Sequence, residues 1–497
     1  MARRTVREIN EEGRQSAAVI ETFMADHLRF TGGPLAGRPF IVTPLQRDRI
    51  VQPLFGTLDA KGDRWYSEAL LGRARWGGKS QVGSALALSV MYTEPVYEGE
   101  YYAVATTKHQ AGIVFGKAKR MILADPLLRA ISKVYRSVIE IPETGATFQV
   151  LPWNADTAQG FHPAVCVIDE YHVHRDPTMR EAMLSGMVGA RNPLMITIST
   201  AGDERKGPLW ELLVSSTGKP GPYSGPARHD PHMYVDWIGA SDDDDGRDPK
   251  VWRRANPGRW VTSPALRKAY QKNPFPVFER YHLNRFPRSG TNRAYPAALW
   301  HACASPPAFD PKAPTILALD ASWTRDTTAL AMVQRDAAAL HNVWAQVWRK
   351  DAAMGHIDHE AVEVKILELC ETYNVIRIAC DPNYFTRSML KLEHEFGLPI
   401  EEFPQENKRT SAAAMALFDV LQEKRIAHGG TADLTEHVLN AGVKPTAYGW
   451  RLTKTEAELK IDAAVALSMA VYLAEAEGGV YRSSFAETGG VWSIPLG

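Results

Sequence analysis

Apolar and polar positions along the chain form two separate regions in which short apolar runs alternate with segments of helical period. In the first region, apolar runs typical of buried strands lie at 101–105, 164–168 and 194–198, and apolar residues at helical spacing lie at 81–91 and 110–123. Strands that alternate with helices favour parallel pairing. The pattern therefore predicts an α/β fold with a parallel sheet flanked by helices.

The second α/β region begins at Thr315 and runs to about Glu477. Between the two regions the texture changes, because 216–232 is rich in Gly, Pro and Ser and 241–246 is acidic, which is typical of solvated loops. We therefore divide the chain into a first domain, a proline-containing linker subdomain, a second domain and a loosely held tail, over 1–255, 256–310, 311–477 and 478–497.

Composition narrows the class of protein. The chain has 497 residues, of which 45% are hydrophobic and 23% charged, and its formal net charge is zero. These values are typical of a folded protein and exclude a uniformly basic coat for nucleic acid, although not a local basic groove. The four cysteines are scattered, and no run of about 20 apolar residues or signal-peptide core is present. We therefore expect a soluble, intracellular protein.

A glycine-rich turn before a helical segment is the first candidate site. Gly77, Gly78, Lys79 and Ser80 form the end of a P-loop, in which backbone N–H groups cradle phosphates, the lysine bridges the β- and γ-phosphates and the serine holds Mg²⁺. The spacing departs from the standard pattern, because Arg73 occupies the position of the first glycine. Alone, this motif is weak evidence.

An acidic pair after an apolar strand strengthens it. In 165–170 the strand ends in Asp169 and Glu170, the Walker B arrangement, in which Asp169 would hold Mg²⁺ through water and Glu170 would polarise the attacking water. The alternative is a pair that caps a helix. The order of the two motifs favours nucleotide hydrolysis, and the second acid favours an ATPase over a small-molecule kinase.

Three carboxylates in the second region form another candidate site. Asp320 and Asp381 each follow an apolar strand, and Asp462 lies in an otherwise small, apolar helix. Asp is a poor helix former and is rarely buried unpaired, so we expect Asp462 to need a compensating partner, which a cation shared with the other two acids would supply. Three carboxylates that converge can hold two Mg²⁺ or Mn²⁺ ions, which is the chemistry of ribonuclease-H-like nucleases. Each acid taken singly has a cap, a turn or a salt bridge as its alternative.

The order of these parts resembles the large terminase subunit of tailed bacteriophages and prophages. Further stretches carry the resemblance. Among them are 40–47, whose Gln46 matches the family's adenine-recognising glutamine; 74–80, which carries Arg75 ahead of Gly-Lys-Ser; 197–202, whose Thr200 matches the coupling motif; and 167–172 and 282–284. Asp320, Asp381 and Asp462 fall where the family's nuclease metal ligands fall.

The resemblance implies an N-terminal P-loop ATPase and a C-terminal ribonuclease-H-like nuclease. It implies that the protein uses ATP and Mg²⁺ to move viral double-stranded DNA into procapsids and uses Mg²⁺ or Mn²⁺ to cut the concatemer. The implied partners are double-stranded DNA, a small terminase subunit, the portal protein and further copies of the chain in a ring, with no membrane. The implied location is the host cytoplasm.

Alternatives remain open at this point. Gln46 has a plain explanation as a polar residue at a helix start, Thr200 as the cap of a turn, and Arg75 could contact nucleotide in cis or in trans. For the whole chain the alternatives are a helicase-nuclease of DNA repair or defence, a P-loop kinase with an unrelated second domain, and a non-enzymatic assembly factor.

Overall fold

The computed structural model describes residues 5–105, 108–152, 160–287, 293–321, 327–350, 356–456 and 458–477. The chain forms two compact units, each with its own sheet. The first unit comprises Met1–Arg267 and Glu279–Pro287, and the second comprises Lys268–Phe278 and Arg288–Gly497. The predicted tail, 478–497, lies outside the described residues. The domain boundaries given by the sequence remain predictions.

Helices and strands alternate through the first part of the chain. In order they are α1 (Val6–His27), α2 (Pro44–Gln46), α3 (Gln52–Gly56), β1 (Glu68–Gly72), α4 (Lys79–Thr93), β2 (Glu100–Ala105), α5 (Lys108–Ala124), α6 (Pro126–Ile131), β3 (Lys133–Val134), β4 (Val138–Ile141), β5 (Ala146–Pro152), β6 (Pro163–Asp169), α7 (Thr178–Met187), β7 (Leu194–Ser199), α8 (Pro208–Thr217), β8 (Tyr223–Pro226), β9 (Met233–Trp237) and α9 (Pro249–Ala255).

The nine strands of the first unit form one sheet in the order β3-β4-β5-β2-β6-β7-β1-β9-β8. The six central strands, β5 to β9 in that order, run parallel, and the outer strands β3, β4 and β8 are antiparallel to their neighbours. Residues of β6 and β7 are buried throughout, which explains why the sequence shows continuous rather than alternating apolar runs there.

The remaining elements complete the chain. They are α10 (Ser263–Lys272), α11 (Phe275–His282), α12 (Ala297–Ala302), β10 (Thr315–Asp320), β11 (Thr327–Arg335), β12 (His341–Arg349), α13 (His359–Thr372), β13 (Val375–Cys380), α14 (Pro382–Phe396), β14 (Ile400–Glu402), α15 (Asn407–Gln422), β15 (Ile426–Ala427), α16 (Ala432–Asn440), β16 (Ala441–Thr446), β17 (Gly449–Lys454) and α17 (Asp462–Glu477).

The second unit is built on a six-stranded sheet in the order β14-β13-β10-β11-β12-β15. The first three strands along the chain, β10, β11 and β12, form an antiparallel meander, β13 adds parallel to β10, and β14 adds parallel to β13. Helix α17 packs on β10 and β11. Strands β16 and β17 form a separate hairpin.

The fold class that the sequence predicts is confirmed, because both units are α/β and the strands and helices recognised by pattern are present. One local expectation is wrong. The segment 216–232 is not wholly loop, since it contains the end of α8 and the edge strand β8, whose residues pair antiparallel with β9. No helix in the described part of the chain is long and apolar enough to cross a membrane.

Candidate active sites

The phosphate-binding turn of the first unit links β1 to α4. Helix α4 begins at Lys79, directly after Gly78, whose φ of +78° is a left-handed conformation that favours glycine. A Cβ on Gly77 would lie 2.8 Å from the Cβ of Arg73 and 2.9 Å from the carbonyl oxygen of Ala74. Both glycines are therefore required by the turn, which presents the N-terminus of a 15-residue helix to an anion.

Arg73, which stands where a standard P-loop has its first glycine, forms an ion pair with strand β9. Its guanidinium donates to the carboxylate of Asp236, which is fully buried in β9, and to the carbonyl oxygen of Asp236 at 2.8 Å. Arg49 donates to the same carboxylate at 2.7 Å. The arginine that replaces the first glycine of the standard motif therefore forms a buried ion pair with Asp236 of β9.

Parallel pairing brings the other candidate residues to the same edge of the sheet. Strand β7 lies between β6 and β1, with Asp169 opposite Ile198 and Ser199 opposite Gly72. The carboxyl ends of these strands therefore lie side by side next to the start of α4. This is the edge at which open parallel sheets bind ligands.

The predicted residues of the two motifs make direct contact there. Nζ of Lys79 lies 2.7 Å from Oε1 of Glu170 and donates to Oγ1 of Thr200 at 3.1 Å. The hydroxyl of Ser80 donates to Oδ2 of Asp169 at 3.0 Å. The structure thus joins the P-loop to the carboxyl ends of β6 and β7 through separate polar contacts.

The structure also bears on the alternative roles of Glu170 as a helix cap and of Thr200 as the cap of a turn. Glu170 precedes a short 3₁₀ turn, Tyr171–Val173, but its side chain does not cap that turn. Its φ of +52° is left-handed, which is uncommon for a glutamate and typical of backbone strain at functional sites. The hydroxyl of Thr200 accepts a hydrogen bond from Lys79, and its role in coupling stays a prediction.

The two carboxylates have opposite electrostatic environments. Burial raises the pKa of Asp169, and the nearby charge of Glu170 raises it further. Burial would also raise the pKa of Glu170, but the charge of Lys79 and the contact with His172 outweigh it and hold that pKa below its ordinary value. Glu170 is therefore the more acidic carboxyl of the pair, and it is ionised at neutral pH.

Gln46 borders this site but is engaged locally. It lines a small cavity of about 20 Å³ together with Gly77 and Lys79. Its Oε1 accepts from the backbone N–H of Thr43 at 3.0 Å, and its own backbone N–H donates to the Thr43 hydroxyl, which is a capping box. The structure shows the helix-start role, and recognition of adenine stays a prediction.

Arg75 packs against its own chain. The central carbon of its guanidinium lies 3.5 Å from the ring centroid of Tyr281, and its backbone N–H donates to the Tyr281 carbonyl oxygen at 2.7 Å. Burial lowers the pKa of Arg75 to about 10. These contacts favour a role in cis over a role in a neighbouring subunit, and that choice stays a prediction.

The three acids of the second unit border one cavity. Its volume is about 500 Å³, and Asp320, Asp381 and Asp462 all line it. Parallel pairing of β10 with β13, with Leu319 opposite Cys380, places the first two acids at neighbouring strand ends. Asp381 is 5% exposed. All three predicted carboxylates therefore line one cavity, and their role as metal ligands stays a prediction.

Asp462 occupies a different position in its helix from the one that the sequence suggested. It is the first residue of α17, where a carboxylate is favoured by the helix dipole, so its presence needs no compensating cation. Thr327 donates a hydrogen bond to its Oδ2. The backbone N–H of the next residue, Ala463, donates to Nδ1 of His437 at 3.0 Å. Thr327 and His437 are thus local supports for this helix start.

The donor chemistry around the cavity fits a hard divalent cation, because all three groups are carboxylates. Among the residues that the structure describes, however, no three acidic, histidine or cysteine side chains are grouped so that they could hold a metal ion as they stand. Arg451 and Lys454 of β17 line the same cavity. The cavity therefore combines possible metal ligands with cations that could contact a phosphodiester.

Sequence reasoning assigned no role to several residues at these sites, although 167–172 and 282–284 resemble stretches of the family. His172 and Ser199 contact the Glu170–Thr200 region, and Tyr281 and Asn284 contact the segments 75–76 and 200–201 from a distant part of the chain. His172 stands two residues after Glu170, which could have drawn attention. For Tyr281 the sequence holds no local signal, because Arg75 is about 200 residues away. Asn284 lies in 282–284, which resembles the family, but that stretch does not reveal that its partner is Ala201.

Comparisons with known proteins identify a family domain in each part of the chain. The family model "Terminase large subunit, ATPase domain" matches residues 47–217, and "Terminase large subunit, endonuclease domain" matches residues 324–478. The large terminase subunit of Enterobacteria phage HK97 is 26% identical to this chain over 485 residues, covering 90% of this chain and 93% of that protein.

Two solved structures are also similar. The crystal structure of the HK97 bacteriophage large terminase matches with a TM-score of 0.46 and 22% identity, covering 92% of this chain and 99% of that chain. The structure of a large terminase from a thermophilic bacteriophage matches with a TM-score of 0.51 and 11% identity, covering 83% of this chain and 93% of that chain. The second likeness supports the fold.

Proposed function

Because the chain belongs to the terminase large subunit family and carries its ATPase and endonuclease domains, we propose that it drives double-stranded viral DNA into procapsids with ATP and cuts the DNA concatemer. The observation that carries this proposal is that each unit holds its own acidic site at the ends of parallel strands. One site adjoins a Gly-Lys-Ser helix start, and the other surrounds a cavity with three aspartates.

In the first unit, the backbone N–H groups at the start of α4 and Nζ of Lys79 bind the phosphates of ATP. Ser80 and Asp169, which share a hydrogen bond of 3.0 Å, would hold the accompanying Mg²⁺, which offsets charge on the phosphate oxygens when bound. Glu170, which pairs with Lys79 until the phosphates draw the lysine away, polarises the attacking water and accepts its proton. The hydroxyl of Thr200 accepts a hydrogen bond from Lys79, so a movement of this lysine changes the contacts of Thr200.

In the second unit, Asp320, Asp381 and Asp462 would hold Mg²⁺ or Mn²⁺, which supplies an activated water and neutralises charge at a phosphodiester. Thr327 keeps one oxygen of Asp462 oriented by donating to it. Arg451 and Lys454 bind the DNA backbone by charge. Contacts with the phosphate backbone do not depend on the base sequence. A motor that must move any DNA requires contacts of this kind.

The partners that follow from this function are a small terminase subunit, the portal protein of the procapsid and further copies of the chain in a ring around DNA, in the host cytoplasm. With a formal net charge of zero, one copy should bind DNA weakly and with strong salt dependence. A ring would raise the local concentration of phosphate contacts.

The test is to measure ATP hydrolysis and DNA cleavage on the same preparation of the full chain. Lys79→Ala should remove ATP hydrolysis and leave metal-dependent cleavage of linear DNA. Procapsids with portal should protect added DNA from nuclease only when ATP is present. Absence of both activities from the wild-type protein, or protection without ATP, would overturn the proposal.

A further inference from the structure

His172 contacts two segments of the ATPase site at once. It lies in the turn Tyr171–Val173, directly after Glu170, and its side chain is 10% exposed. Its backbone N–H donates to the hydroxyl of Ser199 at 3.0 Å, and its ring nitrogen Nδ1 lies 3.2 Å from the same hydroxyl oxygen. Nδ1 also lies 3.2 Å from Oε2 of Glu170. One ring nitrogen therefore lies between the acid of β6 and the end of β7.

The hydrogen-bond partners determine which ring nitrogen carries the proton. The hydroxyl of Ser199 donates to the carbonyl oxygen of Thr200 at 2.9 Å, so toward His172 its oxygen can only accept. The carboxylate of Glu170 is likewise an acceptor. We therefore assign the proton to Nδ1. Burial lowers the pKa of His172 against the opposing charge of Glu170, which favours the neutral ring.

One carboxylate oxygen of Glu170 pairs with Lys79, and the other is available to accept a proton from water. Oε1 lies 2.7 Å from Nζ of Lys79. Oε2 is buried, and no residue in the described part of the chain donates a well-directed hydrogen bond to it. The Nδ1–H group of His172 is the polar group 3.2 Å from this oxygen. Nδ1–H donates to Ser199, and at 3.2 Å it attracts the charge on Oε2 without a directed hydrogen bond, so that the lone pairs of Oε2 remain available.

These contacts close into a ring of five residues: Lys79, Glu170, His172, Ser199 and Thr200. When the phosphates of ATP draw Lys79 away from Glu170 and Thr200, the ring opens at that lysine. The remaining path between the acid and Thr200 runs through His172 and Ser199.

We propose that His172 is a positioning residue that orients Glu170 for hydrolysis and ties its position to the Ser199–Thr200 segment. The proposal rests on the proposed ATP hydrolysis. When the end of β7 moves, the hydroxyl of Ser199 moves with it and displaces the ring of His172. The ring then displaces Oε2 of Glu170, the oxygen that accepts the proton from water. Glu170 is thus aligned with the attacking water only when the Ser199–Thr200 segment is in the position that His172 contacts.

Two conservative variants separate positioning from packing. In His172→Asn the side-chain amide N–H takes the place of Nδ1–H, whereas in His172→Gln it reaches the place of Nε2. We expect His172→Asn to keep kcat for ATP within about threefold, and His172→Gln and His172→Ala to lose roughly 10- to 100-fold in kcat, because Glu170 is then no longer held in line with the attacking water. KM for ATP should change less than about threefold in all three. Equal losses for the Asn and Gln variants would overturn the proposal.

A matched control is His174→Asn, which removes a second buried imidazole two residues away. It should keep kcat, even where thermal unfolding shows a loss of stability. Ser199→Ala tests the other end of the link, and the variant that combines it with His172→Ala should lose no more kcat than the worse single variant. Losses that multiply would show that the two residues act independently and would refute the link.

The outcomes also separate this proposal from the proposed function. If the wild-type protein hydrolyses ATP and His172→Ala does so at the same rate, the positioning role is wrong and the ATPase function stands. If the wild-type protein does not hydrolyse ATP, both are wrong. If His172→Ala does not fold, the contrast between the Asn and Gln variants still decides.

Discussion

Nζ of Lys79 lies 2.7 Å from Oε1 of Glu170, so the phosphate-binding lysine and the proposed catalytic acid form a direct ion pair. The lysine side chain is 11% exposed and the glutamate side chain 26% exposed, which limits screening by solvent. A phosphate that recruits the lysine must compete with this carboxylate. When nucleotide binds, Lys79 therefore exchanges the carboxylate of Glu170 for phosphate, and Glu170 is freed from the ion pair in the same step.

Glu170→Gln should bind ATP at least as tightly as the wild type while hydrolysing it roughly 100-fold or more slowly. The amide keeps the size of the side chain but can neither accept the proton from water nor compete with phosphate for Lys79. Equilibrium binding of a fluorescent ATP analogue and steady-state hydrolysis measure the two effects.

The matched control is Glu181→Gln, because Glu181 is an exposed residue on α7. It should change neither quantity. Hydrolysis by Glu170→Gln at the parental rate would falsify the assignment of Glu170, and a weaker affinity for ATP would show that the ion pair with Lys79 does not compete with phosphate.

Arg73→Gly restores the glycine of a standard P-loop, yet it should destabilise the first unit by about 3 kcal/mol. The reason is that the carboxylate of Asp236 is fully buried and shares its charge between Arg73 and Arg49. Removal of one guanidinium leaves that charge poorly compensated. Urea unfolding of both proteins at the same pH gives the difference.

The double variant Arg73→Gly/Asp236→Asn provides the control for this interpretation. Because the buried charge is then absent, the double variant should be less destabilised than the sum of the two single variants. Strict additivity would mean that Arg73 contributes through packing alone.

Asp381→Asn should lower metal-dependent DNA cleavage roughly 100-fold or more while ATP hydrolysis stays near the parental rate. Asp381 lines the cavity of the second unit, and the ATPase residues belong to the first unit. Both rates are measured on one preparation. Asp433→Asn, which alters an exposed carboxylate paired with Arg349, is the control. Unchanged cleavage by Asp381→Asn would remove this residue from the nuclease site.

Glu475→Gln should lower the free energy of unfolding by about 2 kcal/mol at pH 7. Burial tends to raise the pKa of Glu475, but hydrogen bonds and charge from His341 and Arg425 outweigh it and lower that pKa from 4.5 to about 2. A carboxyl with a depressed pKa stabilises the fold above its unfolded value. The contribution is therefore full above pH 4.5 and is lost as the pH falls toward 2.

Chemical unfolding at several pH values tests this, since the difference between the variant and the wild type should shrink between pH 4.5 and 2. Glu477→Gln is a control on the same helix, because the Glu477 side chain is 40% exposed in its pair with Arg377 and should contribute little. A difference that does not depend on pH would contradict the electrostatic explanation.

Much of the fold and of both sites follows from local sequence. The apolar runs of β6 and β7, the glycines before Lys79 and the acids at strand ends are all short-range signals, because burial and turn geometry act on neighbouring residues. Parallel pairing then brings Asp169 near Ser80 without any further information. The strand β8 was missed because an edge strand that is half exposed carries a Gly/Pro/Ser pattern much like that of a loop.

What the sequence does not reveal are pairings between distant segments. Asp236 gives no sign that it compensates Arg73, since the two are 163 residues apart. The position of Asp462 at the first turn of α17, where an acid is favourable, depends on where the helix starts, which pattern places least well. The contacts of His172 likewise require the register of β6 and β7.

The return of Glu279–Pro287 to the nucleotide site has a practical consequence. Tyr281 supports Arg75, and Asn284 accepts from the backbone N–H of Ala201 at 2.8 Å and donates to the Ile238 carbonyl oxygen at 2.8 Å. A fragment cloned to end at residue 255 would omit these supports and expose the apolar surface they cover. Expression of an isolated motor domain should therefore extend its 3′ boundary through the codon for Pro287.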